Sequence, residues 1–150
     1  MIRPDVEEEV NQEHLAATRR DLHQLIADEV ALLGGDSTKL AVGGASQGGC
    51  TAYDAALSYP ETLAACVVSF GQIYSCTAVP DRRTDLPVFH FHGVEDTVIA
   101  LSLAEKGWER LREARFGRLT LHAEPGLTHC LPSSREFDLL DRQLRDWGFW

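Results

Sequence analysis

The sequence predicts an α/β fold with about four parallel strands and helices on both faces. Helical and strand patterns alternate along the chain, and the strand segments are short, continuously apolar runs. The 150 residues, 44% apolar and 25% charged, contain no visible repeat, linker or low-complexity tract. The expectation is therefore one domain over residues 1–150.

Residues about 11 to 33 read as the first helix, with Leu15, Leu22, Ile26, Val30 and Leu33 on one stripe and Gly34-Gly35 as the stop. Lys39 to Gly43 is a short apolar strand. A helix of small residues runs from Gln47 to Ser58 and ends at Tyr59-Pro60. Leu63 to Phe70 is a buried strand ending at Gly71, and Leu86 to His92 is the next. A helix from about Ile99 to Arg115 places Leu101, Ala104, Trp108 and Leu111 on one face. Arg118 to His122 reads as the fourth strand. The last helix opens with the capping-box pattern Ser133-Ser134-Arg135-Glu136 and carries Phe137, Leu140, Leu144 and Trp147 on one face.

The net charge of −9 argues against nucleic acid and anionic membrane surfaces as partners. No apolar run approaches the ~20 residues of a membrane span. The acidic start, Met1 to Glu9, lacks the apolar region of a secretory signal and reads as a solvated face. Cys50, Cys66, Cys76 and Cys130 show no CxxC spacing and read as free thiols in a reducing compartment, the cytoplasm. Cys130 adjoins His129, but no further ligands stand at metal-site spacing, so no metal is expected.

In parallel α/β sheets, active groups cluster at the carboxyl ends of the strands. The first strand runs into Gly44-Ala45-Ser46-Gln47-Gly48, a G-x-S-x-G pattern between a strand and a helix. Such a sharp turn holds a serine in a strained conformation with its hydroxyl above the sheet, and flanking glycines relieve Cβ clashes. The N–H of Gln47 would face a developing oxyanion. A serine also needs a base, and the base an orienting acid, in the chain order serine, acid, histidine. Asp96 lies just past the strand ending at His92, and His129 lies in the loop after the fourth strand. Glu95 is a rival acid, Asp96 has an alternative use as a helix cap, and His122 is the competing base. His129 is preferred because its glycine-containing loop gives it reach. His90 and His92 read as packing or loop-bracing residues rather than bases, and Trp108 and Trp147 as core.

Three segments resemble the phospholipase/carboxylesterase family of acyl-protein thioesterases and lysophospholipases. They are Gly44-Ala45-Ser46-Gln47-Gly48-Gly49, Leu86 to Ile99 with its His92-Gly93-Val94-Glu95-Asp96 core, and Gly126-Leu127-Thr128-His129. The resemblance spans roughly residues 35 to 147. It implies a partial α/β-hydrolase fold, with Ser46 as nucleophile, Asp96 as acid and His129 as base. It also implies a small-molecule or lipidated ester or thioester substrate and no cofactor. The sequence departs from the family at Gly43-Gly44, at Phe70 between Ser69 and Gly71, and at Ala100, where proline is common.

Family members carry further strands and an apolar-His-Gly oxyanion segment upstream of the nucleophile, and no such segment precedes Ser46. The expectation is an N-terminally incomplete hydrolase domain. Gln47 would be its one assured oxyanion donor, and loss of a second costs on the order of 10²–10³ in rate. The alternative is a truncated homologue or interaction module with impaired turnover. The nucleophile strand is expected to form an unprotected apolar edge open to self-association.

Overall fold

The structure, a computed structural model, describes residues 7, 9–81 and 85–149. Helix α1, Gln12–Leu32, begins at Asn11, whose side chain accepts from the His14 N–H at 3.0 Å. It stops at Gly34 and Gly35, both at positive φ. Leu15, Ile26 and Val30 are buried as their spacing predicts.

The first strand starts later than expected. Asp36 accepts from the Thr38 N–H at 3.1 Å and winds Ser37–Lys39 into a 3-10 turn, so β1 is Ala41–Ala45. Helix α2 is Gln47–Ser58 and β2 is Ala65–Ser69. Strand β3 is Val88–Gly93 and helix α3 is Leu101–Glu113. Strand β4, Leu119–Glu124, is longer than predicted, so His122 lies inside it.

Helix α4, Ser134–Asp146, corrects two expectations. No capping box forms: Ser133 makes no side-chain cap, and Glu136 instead accepts from Ser69 Oγ at the end of β2. With Glu136 directed at the sheet, the inward stripe runs through Glu136, Leu139, Leu140, Gln143 and Trp147. Phe137 lies about 100° away from that stripe and is 63% exposed.

The four strands pair in parallel in the order β1-β2-β3-β4. Strand alternation divides the core. Cys66, Val68, Val88, Leu119 and Leu121 face Ile26, Val30, Tyr53, Leu57 and Leu111 from α1 to α3. Phe89 and Phe91 face the other way and pack with Leu139, Leu140 and Trp147 of α4. Helices thus cover both faces. All six residues of β3 are buried, as a central strand requires. Strand β1 forms one edge of the described sheet.

Helix α1 is tied down by a buried charge. Asp54 of α2, 1% exposed, accepts a two-pronged contact from Arg19 at 2.7 and 2.9 Å. Thr77 Oγ1 donates to the same carboxylate at 2.6 Å, and Arg110 of α3 donates to the Tyr74 and Thr77 carbonyls. One carboxylate therefore joins α1, α2 and the loop after β2. Most of the acidic N-terminal run lies outside the described residues. Its Glu7 accepts from Ser75 N–H and Oγ. Among the described residues, no helix is long and apolar enough to cross a membrane.

Replacing Asp54→Ala removes every partner of this junction at once. It is expected to cost about 3 kcal/mol. Thermal denaturation should show a fall in Tm of roughly 6–12 °C for a chain of this size. An unchanged Tm would mean that the Asp54 junction contributes nothing beyond the apolar stripe and the His23 contacts of α1.

Candidate active site

The turn from β1 into α2 places Ser46 at φ 54° and ψ −127°. That backbone is costly for a residue with a side chain, on the order of 1–3 kcal/mol, and persists where the surroundings hold it. Two backbone bonds do so: Ser46 N–H donates to the Ser69 carbonyl at 2.9 Å, and Cys50 N–H to the Ser46 carbonyl at 3.1 Å. The two glycines flanking the serine are not equivalent. A Cβ on Gly44 would lie 2.5 Å from the Gly48 backbone, whereas one on Gly48 would meet nothing within 4 Å. The expectation that both relieve clashes therefore holds for Gly44 alone. Gln47 is the first residue of α2, where backbone N–H groups have no partner within the helix.

Asp96 follows the end of β3 with its side chain fully buried. Its two oxygens do different work. Oδ1 accepts from the Val98 and Ile99 N–H groups at 2.8 and 2.9 Å and so holds the turn before α3; the N-cap of the helix itself is Ala100, with no side-chain cap, so the alternative use of Asp96 as a helix cap is not realised. Oδ2 lies 2.7 Å from His129 Nδ1. A carboxylate only accepts, so Nδ1 carries the proton and the neutral ring leaves Nε2 bare. Ser46 Oγ donates to that nitrogen at 2.8 Å. Three loops after β1, β3 and β4 thus contribute one side chain each to a continuous hydrogen-bonded line.

The loop carrying His129 is laid directly on the acid turn. Val94 N–H donates to the Glu124 carbonyl at 2.9 Å, and Glu95 N–H to Leu127 at 3.1 Å. The approach is so close that a Cβ on Gly93 would stand 2.2 Å from the Leu127 carbonyl oxygen. The rival residues fall elsewhere. Glu95 is exposed. His122 pairs with Glu124 at 2.6 Å and stacks on Phe91 with ring centroids 5.2 Å apart.

Two neighbours of the site were not foreseen. Phe70, marked in the sequence only as an interruption of Ser69 and Gly71, sits at φ 54° with its ring edge-on to His129, centroids 5.9 Å apart. Cys130, at φ 53°, directly follows His129 in an exposed position, and partial desolvation pushes its thiol up. A cavity of about 450 Å³ opens beside Ser46 and Gln47. Val10, Leu15, Val98, Ile99 and Leu103 supply apolar wall, and His14 a polar edge. All four cysteines are free. Among the described residues, no cluster of His, Cys, Asp and Glu is arranged to hold a metal ion.

Residues 2–145 match the family model described as Phospholipase/Carboxylesterase. A rice protein (Oryza sativa subsp. japonica) named "Probable carboxylesterase" is 33% identical over 124 residues, 80% of this chain and 52% of its own length. This chain therefore spans about half the length of that curated relative. The crystal structure of Arabidopsis thaliana SOBER1 superimposes with a TM-score of 0.82 at 22% identity, over 93% of this chain and 67% of that one. Zea mays acyl-protein thioesterase 2 gives 0.73 at 20% identity, over 89% of this chain and 65% of that one. At these identities the structures establish the shared α/β-hydrolase fold.

The glycine geometry predicts opposite outcomes for one extra methyl group. Gly44→Ala and Gly93→Ala each drive a Cβ into backbone that cannot yield and should lower Tm by several degrees, as overpacking costs about 1–3 kcal/mol. Gly48→Ala should be neutral or raise Tm by a few degrees, since alanine is the better helix former by up to about 1 kcal/mol. Parallel melting curves decide it, and equal losses in all three would refute the assignment.

Proposed function

Since this chain belongs to the phospholipase/carboxylesterase family, we propose that it hydrolyses carboxylic esters or thioesters through an acyl-enzyme on Ser46. The observation that carries this reading is the line Ser46 Oγ, His129 and Asp96, with links of 2.8 and 2.7 Å, built on a serine held at φ 54°. His129 Nε2 takes the hydroxyl proton as Oγ forms its bond to the substrate carbonyl carbon. The imidazolium that results is stabilised by Asp96, which also fixes the ring's tautomer. The Gln47 N–H stabilises the oxyanion, a contribution of order 3 kcal/mol per donor. The imidazolium then protonates the departing alkoxide or thiolate as the acyl–oxygen or acyl–sulfur bond breaks. A water, deprotonated by the same nitrogen, adds to the acyl-enzyme and releases the carboxylic acid and free Ser46.

The apolar wall of Val10, Leu15, Val98, Ile99 and Leu103 supports an acyl chain as the group bound beside Ser46. We read the substrate class as that of carboxylesterases, acyl-protein thioesterases and lysophospholipases. The four free cysteines support a cytoplasmic setting. The proposed domain is residues 1–150. The open edge of β1, with Gly43 and Ala45 exposed, supports pairing with a second copy, which needs only main-chain donors and acceptors.

A fluorophosphonate probe is expected to label the wild-type protein at Ser46 and to leave Ser46→Ala unlabelled. Turnover of a nitrophenyl ester series should fall by at least about 10³ in His129→Ala and by about 10⁴ in Asp96→Asn. Equal labelling of wild type and Ser46→Ala would refute Ser46 as nucleophile. No labelling of either would favour the non-catalytic alternative. Sizing chromatography should show a dimer or larger species, and a dilution-resistant monomer would refute the edge-pairing proposal.

A further inference from the structure

Beside Asp96 lies a row of buried polar rings to which no step of the reaction has yet assigned a task. His90 and His92 alternate along β3 and therefore share the face that meets α2 and α3. Both are 0% exposed. His92 Nε2 lies 2.9 Å from the Ile99 carbonyl oxygen and 3.4 Å from Asp96 Oδ2. His92 Nδ1 lies 3.2 Å from His90 Nε2. His90 Nδ1 meets both Trp108 Nε1 of α3 and the Tyr53 hydroxyl of α2 at 2.8 Å.

The direction of every bond in this row follows from its two ends. An indole N–H only donates, so His90 Nδ1 is the acceptor. Burial, and then the neighbouring His92, hold His90 well below the usual histidine range, and burial lowers His92 as well. Each ring is thus neutral and has one proton to place. His90 carries its proton on Nε2 and donates it to His92 Nδ1. His92 must then carry its own on Nε2, where the Ile99 carbonyl demands a donor. The two constraints, applied from opposite ends, agree. Reversing the row would set the Nδ1 proton of His90 against the Trp108 N–H and the bare Nε2 of His92 against two oxygens.

We propose that His92 is a positioning residue for the acid of the site, its Nε2–H shared between the Ile99 carbonyl and Asp96 Oδ2, and that Trp108 sets its tautomer through His90. The inference rests on the hydrolase reading of Ser46, Asp96 and His129. Oδ2 is the oxygen that receives His129 Nδ1–H, whereas Oδ1 is held by two backbone groups. His92 therefore acts on the oxygen that no backbone group holds, the one facing His129, and it pins the turn that carries Asp96 by gripping its far end at Ile99. A neutral donor suits the task. It orients the carboxylate without a positive charge that would compete with the imidazolium formed on His129. His92 itself moves no proton.

The test uses the full chain as wild type, His92→Gln, His92→Leu and Trp108→Phe, with nitrophenyl acetate turnover and nitrogen-15 NMR of the histidine rings. Glutamine can present an N–H near the position of His92 Nε2, while leucine fills space without a donor. His92→Leu is expected to lower kcat at least tenfold with KM within twofold, and His92→Gln to recover to within threefold of wild type. Trp108→Phe should lower kcat at least threefold and introduce the Nδ1–H tautomer at His90 and His92, both of which are Nε2–H in wild type. Glutamine no better than leucine, leucine within twofold of wild type, or a wild-type Nδ1–H tautomer at His92 would each overturn the proposal. If His92→Leu fails to fold, Trp108→Phe and His92→Gln carry the same decision. A wild type that neither turns over nor accepts a fluorophosphonate sinks the hydrolase reading instead, and the NMR tautomers then decide the hydrogen-bond row without turnover.

Discussion

A main-chain contact at the end of β3 governs the rest of the site. Where β3 ends, the backbone of Gly93 is pressed against the Leu127 carbonyl, leaving no room for a Cβ. This contact lets the loop after β4 lie across the acid turn, with Val94 and Glu95 donating into it. The side chains of Asp96 and His129 meet because the two backbones already have. Shifting that loop by even one ångström would break a 2.7 Å link, and the 2.8 Å link to Ser46 depends on it in turn. Geometry at the Ser46 hydroxyl is thus set by main-chain contacts two loops away.

The sheet beneath is asymmetric in a way that serves this arrangement. One face of β3 presents Phe89 and Phe91 to α4 in a small apolar cluster. The other presents Val88 to the larger core but places His90 and His92 nearer the active end. Buried polar rings are expensive unless every donor and acceptor finds a partner. Here they do: among the described residues, no buried side-chain nitrogen or oxygen lacks a hydrogen bond. Apolar packing holds the base of the sheet, and a directed polar row holds the end that carries Asp96.

Much of this was legible in the chain. Strand–helix alternation, the stripes of α1 and α3, and the G-x-S-x-G turn depend on local periodicity and steric need, which a sequence displays directly. The order Ser46, Asp96, His129 could be read because each residue follows a strand. Local rules failed where a residue was used by a distant element. Glu136 looks like half of a capping box but is taken by Ser69, sixty-seven positions away, and that contact turns Phe137 outward. Gly48 looks as necessary as Gly44 until the path of the helix shows its side open. Asp96 was weighed as helix cap or acid; one oxygen holds the turn before α3 rather than the helix start, and the other meets His129. The spacing of His90 and His92 signalled a shared face, but only the positions of Trp108 and Ile99 give that face a direction.

Among the described residues, four other than glycine adopt positive φ, and three of them are Ser46, Phe70 and Cys130, which lie in, against or next to the line through His129. Glycine would adopt each of these angles without steric penalty. Each of these three backbones is held by its surroundings rather than by its own preference, so the strain marks where the fold is over-determined: around the imidazole of His129.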